Sequence, residues 1–148
     1  MTQRYPDILL AEDNPNDVEL TLEALAEHNL ANRVPVAHDG VEALEYLRRT
    51  GAFSGREPRL PAVVLLDIKM PRMDGLEVLR EIRTDPKLKR LPVVILTSSR
   101  EEQDIITSYD LGVNAYVVKP VDFQAFIEAV EHLGVFWALI NERPPHAD

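Results

Sequence analysis

The stretch Ala62-Val63-Val64-Leu65-Leu66-Asp67-Ile68-Lys69-Met70-Pro71-Arg72-Met73-Asp74-Gly75 decides the fold. It opens on an unbroken apolar run containing two valines, the pattern of a strand buried on both faces rather than one with a wet side. The run stops at an acidic residue, and Pro71 and Gly75 mark a turn before Leu76, Leu79 and Ile82 take up helical spacing. A buried strand, a turn and an amphipathic helix in that order form half of a parallel βαβ unit.

The same alternation extends in both directions. Further apolar runs lie at residues 7–11, 33–37, 92–97 and 115–118, which with 62–67 makes five expected strands. Asn14 can cap a helix with Pro15 at its first position and Val18, Leu22 and Leu25 on one face. Further helices are expected over 40–49, 75–83 and 101–111, the last capped by Ser98 or Ser99. A fifth runs from Asp122 to Asn141, with Phe126, Ile127, Val130, Leu133 and Trp137 at core spacing. Residues 50–61 hold glycines, prolines and charges without a period and read as a long exposed loop; 142–148, with Pro144 and Pro145, read as a disordered tail. One domain over 6–141 is expected, with no output domain.

Composition narrows the partners. A chain of 148 residues that is 45% hydrophobic suits one core. Its 16 basic and 25 acidic residues leave a formal charge of -9, which repels nucleic acid and anionic membrane surfaces. Without cysteine there is no disulfide, thiolate metal site or Cys nucleophile, and no signal peptide or spanning segment is evident, so a cytoplasmic location is expected. His28, His38, His132 and His146 lack metal-ligand spacing.

In an open parallel sheet, ligands bind beyond the carboxyl ends of the strands, where the strand order reverses. The first expected strand ends in Glu12 and Asp13, the third in Asp67, the fourth in Thr97 with Ser98, and the fifth in Lys119 before Pro120. Clustered carboxylates repel one another unless a small hard cation intervenes, and Mg²⁺, with Mn²⁺ or Ca²⁺ as substitutes, suits oxygen ligands that leave coordination positions open. If Asp67 attacks phosphorus, the cation, the Lys119 ammonium and the Thr97 hydroxyl can balance the charge of the transferred group. Any one of these residues alone is an ordinary solvated loop end; the combination at one sheet edge is what carries the signal.

These residues resemble the receiver domain of two-component response regulators from Ile8 to about Leu133. The resemblance is carried by Glu12-Asp13, Asp67-Ile68-Lys69-Met70-Pro71 with Met73-Asp74-Gly75, Leu96-Thr97-Ser98, and Ala115-Tyr116-Val117-Val118-Lys119-Pro120. It implies an α/β, flavodoxin-like, doubly wound sheet of five parallel strands in the order 2-1-3-4-5 with five helices, and a cis Lys119-Pro120 peptide. It also implies that Asp67 is the phosphoacceptor and that Glu12, Asp13, Asp67 and the Lys69 backbone carbonyl hold the metal. Lys119 would pair with the phosphoryl oxygens, with Thr97 and Tyr116 as switch residues.

The region Leu111-Gly112-Val113-Asn114-Ala115-Tyr116 and Phe136-Trp137 is similar to the single-domain response regulators paired with bacterial phytochromes. The implied partner is a sensor histidine kinase, such as a bacteriophytochrome. Apolar residues beyond the needs of the core, Ile105, Ile106 and Tyr109 on one helix and Phe123, Phe136 and Ile140 on the last, suggest a homodimer through the fourth helix, fifth strand and fifth helix. Two other functions compete. An aspartyl-phosphate phosphohydrolase would need a second Asp two residues after Asp67, where this chain has Lys69; a phosphorylation-independent docking module would not need the intact residue set. The expected protein is therefore a switch and not a dedicated enzyme.

Overall fold

The inner strands are apolar up to their last residue because the sheet is covered on both sides. In the computed structural model, which describes residues 6–26, 32–98 and 115–133, the strands are β1 (Ile8–Ala11), β2 (Val36–Ala37), β3 (Val63–Asp67), β4 (Val93–Thr97) and β5 (Ala115–Val118). All pairings are parallel and the order is β2-β1-β3-β4-β5. The five expected strands and their order are borne out. Expected bounds at 7–11, 62–67 and 92–97 begin one residue early; β2 is shorter than the run 33–37 by three residues.

The period of two sorts the core into two layers. Leu9, Ala11, Val64, Leu66, Val93 and Ile95 point to one face, where they meet Ala43, Leu44 and Leu47 of α2 (Gly40–Arg48) and Val78, Leu79 and Ile82 of α3 (Gly75–Thr84). Ile8, Leu10, Val63, Leu65, Val94 and Leu96 point to the other, against Leu25 of α1 (Pro15–Ala26) and Phe126, Ile127 and Val130 of α4 (Phe123–His132). The helix expected over 101–111, the continuation from Gly134 to Asn141 with Trp137, and the tail 142–148 lie outside the described residues.

Side chains fix the helix starts. Asn14 Oδ1 accepts the amides of Asn16 (2.9 Å) and Asp17 (3.1 Å), with Pro15 at the first helical position. Asp39, Asp74 and Asp122 cap α2, α3 and α4 in the same manner, and Asp74 with Glu77 completes a capping box. The turn between β3 and α3 is drawn tight by Gly75, whose amide donates to the Ile68 carbonyl at 2.7 Å. A Cβ there would stand 2.3 Å from the Asp67 carbonyl oxygen, so only glycine fits. The Lys119-Pro120 peptide is cis, as the resemblance implies.

The segment 50–61 is mostly exposed, as expected of a loop, but it holds local order that no sequence period announces. Gly51–Phe53 form a 3₁₀ turn, and Phe53 meets Tyr46 edge-on with ring centroids 5.3 Å apart. Arg56 lies over the Tyr46 ring at 4.0 Å and donates to the Tyr46 carbonyl through Nε (3.1 Å) and Nη2 (2.9 Å). A guanidinium that satisfies a carbonyl at the end of α2 while stacking on an aromatic ring orders this segment without any sequence period.

Candidate functional site

Strand register brings the site together. Ala11 lies beside Leu66 and Asp67 beside Leu96, so Glu12 leaves β1 next to Asp67 at the point where the chain order reverses. Thr97 lies beside Val118, and the Lys119 amide donates to the Thr97 carbonyl at 2.7 Å, so Lys119 leaves β5 toward the same edge.

Glu12 and Asp67 are buried and Asp13 is exposed, and one carboxylate oxygen from each lies within 4.8 Å of the others. Lys119 Nζ reaches Asp67 Oδ1 at 3.1 Å, Glu12 Oε1 at 3.2 Å and Asp17 Oδ2 at 3.0 Å. The edge thus gathers three carboxylates around one ammonium, with Asp13 close to two of them. Burial pushes the Glu12 carboxyl up to about 7, against the pull of the Asn14 amide that it accepts; the neighbouring Asp67 charge adds to the rise. Asp67 is also raised by burial, with the Lys119 charge opposing. For Lys119 burial acts downward, but hydrogen bonding to Asp17 and the charges of Asp67 and Glu12 outweigh it and hold the ammonium charged.

This donor set fits a hard divalent cation. Three oxygen ligands converge, two of them on buried carboxylates whose negative charges are in excess, and no imidazole or thiol is among them. Thr97 ends β4 fully buried, and its Oγ1 has no hydrogen-bond partner among the described residues. Buried hydroxyls are normally satisfied, so a buried hydroxyl without a partner has donor capacity in reserve beside Asp67.

Tyr116, in β5, is half-buried against the face that carries α2 and α3. Lys69 stands exposed in the loop after β3. Glu12, Asp13, Asp67, Thr97 and Lys119 all gather at the carboxyl edge that the sequence predicted. Asp17 was missed. Its only signal is an acidic residue in the first turn of the helix that follows Glu12-Asp13, a position that equally suits the positive end of a helix.

Comparison with known proteins gives the same fold and a family. The response regulator receiver domain matches residues 8–131. The response regulator Rcp1 of Synechocystis sp. is 39% identical over 130 residues, 88% of this chain and 87% of that protein. The solved structure of the bacteriophytochrome response regulator AtBRR is 58% identical, covers 95% of this chain and 100% of its own, and superposes with a TM-score of 0.90. The phosphorylated cyanobacterial phytochrome response regulator RcpA is 42% identical over 90% of this chain and 94% of its own, with a TM-score of 0.71. Rcp1 itself has been solved in a Mn²⁺-bound form (36% identity, 94% of this chain, 99% of its own, TM-score 0.71). The chain belongs to the response regulator receiver domain family, and its relatives include phytochrome response regulators.

Proposed function

We propose that this receiver accepts a phosphoryl group on Asp67 from the phosphohistidine of a sensor kinase, in a reaction that needs a divalent cation. One observation carries the reading: a buried carboxylate with one oxygen on the Lys119 ammonium, at the centre of a cluster that fits a cation. An Asp67 oxygen attacks phosphorus, the bond from phosphorus to the histidine nitrogen breaks, and the released imidazole nitrogen keeps the electron pair and takes a proton. Lys119 remains charged and balances the phosphoryl oxygens, and the Thr97 hydroxyl supplies a further donor. Glu12, Asp13, Asp67 and the Lys69 carbonyl would hold the cation, Mg²⁺ by preference, which neutralises charge on the transferred group. Tyr116 follows Thr97 in the switch. Lys69 in place of a second Asp favours a slow switch over a phosphohydrolase.

That RcpA has been solved phosphorylated and Rcp1 with Mn²⁺ supports the chemistry, and likeness to AtBRR supports a phytochrome as the kinase's sensory part. A receiver spanning residues 6–141 in the cytoplasm accords with the absence, among the described residues, of any helix long and apolar enough to cross a membrane. Incubation of the full chain with acetyl phosphate and Mg²⁺, read by intact mass, tests the reading. A phosphoryl adduct is expected, absent when EDTA is added before the donor and absent in Asp67→Asn; an adduct retained in that variant sinks the assignment, and no adduct under any donor leaves a docking module.

Self-association through β5 and the last helix forms the second part of the proposal. β5 is an outer strand of the described sheet, and Val118 on it is 51% exposed, unusual for a valine in a sheet whose inner strands are buried. Sedimentation velocity is expected to give a dimer that Val118→Asp shifts toward monomer, and a wild-type monomer at every concentration removes this part.

A further inference from the structure

We propose that Asp17 is a positioning carboxylate that holds the Lys119 ammonium in the resting site and limits how tightly Asp67 can retain an anionic group. The inference rests on the phosphoacceptor reading and adds a residue outside the acceptor, cation and switch set. Lys119 offers three N–H donors, and three carboxylate oxygens stand around it at 3.0, 3.1 and 3.2 Å, from Asp17, Asp67 and Glu12. The ammonium is therefore fully engaged before any phosphoryl group arrives. Asp17 makes the shortest of the three contacts and is the one partner that lies outside the acidic trio of Glu12, Asp13 and Asp67.

Its position is built in. Asn14 Oδ1 accepts the Asp17 amide, fixing the first turn of α1, and Pro15 begins that turn. The side chains of Lys119 and Asp17 are 16% and 26% exposed, so the pair is less screened than a surface ion pair. An incoming phosphoryl group draws on the same ammonium. Whichever contact it displaces, Asp17 leaves a compensating negative charge on Lys119, and that charge opposes the anion. Neutralising Asp17 leaves Lys119 held by Glu12 and Asp67, while more of its charge becomes available to the phosphoryl oxygens.

The test uses the full chain with beryllofluoride, an anion that mimics a phosphoryl group on a carboxylate, titrated in excess Mg²⁺ and followed by ¹H–¹⁵N spectra. Asp17→Asn keeps the side-chain volume and loses the charge; about three- to tenfold tighter binding is expected, the range for one close charge contact. The acyl phosphate should live longer by a similar factor. Asp17→Ser, which also suits a first helical turn, should move both readouts in the same direction and stands in if the Asn variant does not fold. Glu19→Gln removes one unit of charge from the exposed face of the same helix without touching Lys119 and should change binding by less than about twofold. Unchanged or weaker binding in both Asp17 variants overturns the inference, as does an equal gain in Glu19→Gln, which would reduce the effect to overall charge. A wild-type protein that fails to bind beryllofluoride would instead remove the phosphoacceptor reading.

Discussion

At the scale of single residues, Glu12 is a carboxyl whose chemistry folding alters strongly. It is fully buried, and its carboxyl rises from 4.5 to about 7, burial being the main cause. A group with a folded value above its unfolded one holds protons in the native state that the unfolded chain releases. Its contribution is thus complete below about pH 4.5 and lost as pH rises through 7. The loss is at most about 3 kcal/mol, from 1.36 kcal/mol per pH unit, and Asp67, also raised, acts in the same sense. Asp39 and Asp85 act oppositely and at lower pH: burial of Asp39 is outweighed by the Arg72 guanidinium, and the Lys87 amide holds Asp85 down. Urea unfolding in EDTA is expected to show lower stability at pH 8 than at pH 5.5, and Glu12→Gln should flatten that slope. A wild-type protein as stable at pH 8 as at pH 5.5 would count against a buried, strained carboxylate.

At the scale of elements, the site depends on how tightly the turn after β3 is folded against α3. Gly75→Ala places a methyl group 2.3 Å from the Asp67 carbonyl oxygen and 2.8 Å from the Ile68 Cα. Both obstacles are backbone, so nothing flexible can move aside. The expected cost is about 2 to 3 kcal/mol, the range for overpacking a rigid site, read as a lower urea midpoint at unchanged slope. Slower phosphorylation should accompany it, because the displaced atoms belong to the proposed acceptor. This turn also shows what the sequence can and cannot disclose. Strands such as Val63–Asp67 and Val93–Thr97 are legible because both-face burial leaves unbroken apolar runs, and Pro15, Asp74 and Asp122 mark helix starts by local chemistry. Glu12, Asp67, Thr97 and Lys119 are legible as a set because each ends a strand. Asp17 is not, because its contact with Lys119 spans 102 positions and its local setting already explains an acidic residue. The Arg56–Tyr46 stack is hidden for a different reason: a cation over a ring leaves no period.

At the scale of the whole molecule, charge couples the site to stability. Three carboxylates contact one lysine and a fourth, Asp13, lies beside two of them at the carboxyl edge of a chain with formal charge -9, so the edge is electrostatically strained in the absence of a cation. Its candidate ligands lie at the ends of β1 and β3, which pair with each other inside the sheet, and unfolding separates them. A divalent cation bound only by the native state must therefore stabilise the entire fold, by about 2.7 kcal/mol at one hundred times its dissociation constant. Thermal unfolding in Mg²⁺ is expected to shift upward progressively with concentration, and Mn²⁺, which suits the same carboxylate and carbonyl ligands, should act in the same way. The shift should grow with pH as Glu12 loses its proton, because cation and proton compete for the same oxygens. Asp13→Asn removes an exposed candidate ligand without opening the core and should abolish most of the shift while leaving metal-free stability near wild type. An equal shift from NaCl at matched ionic strength would assign the effect to general screening of the acidic surface instead of a bound ion.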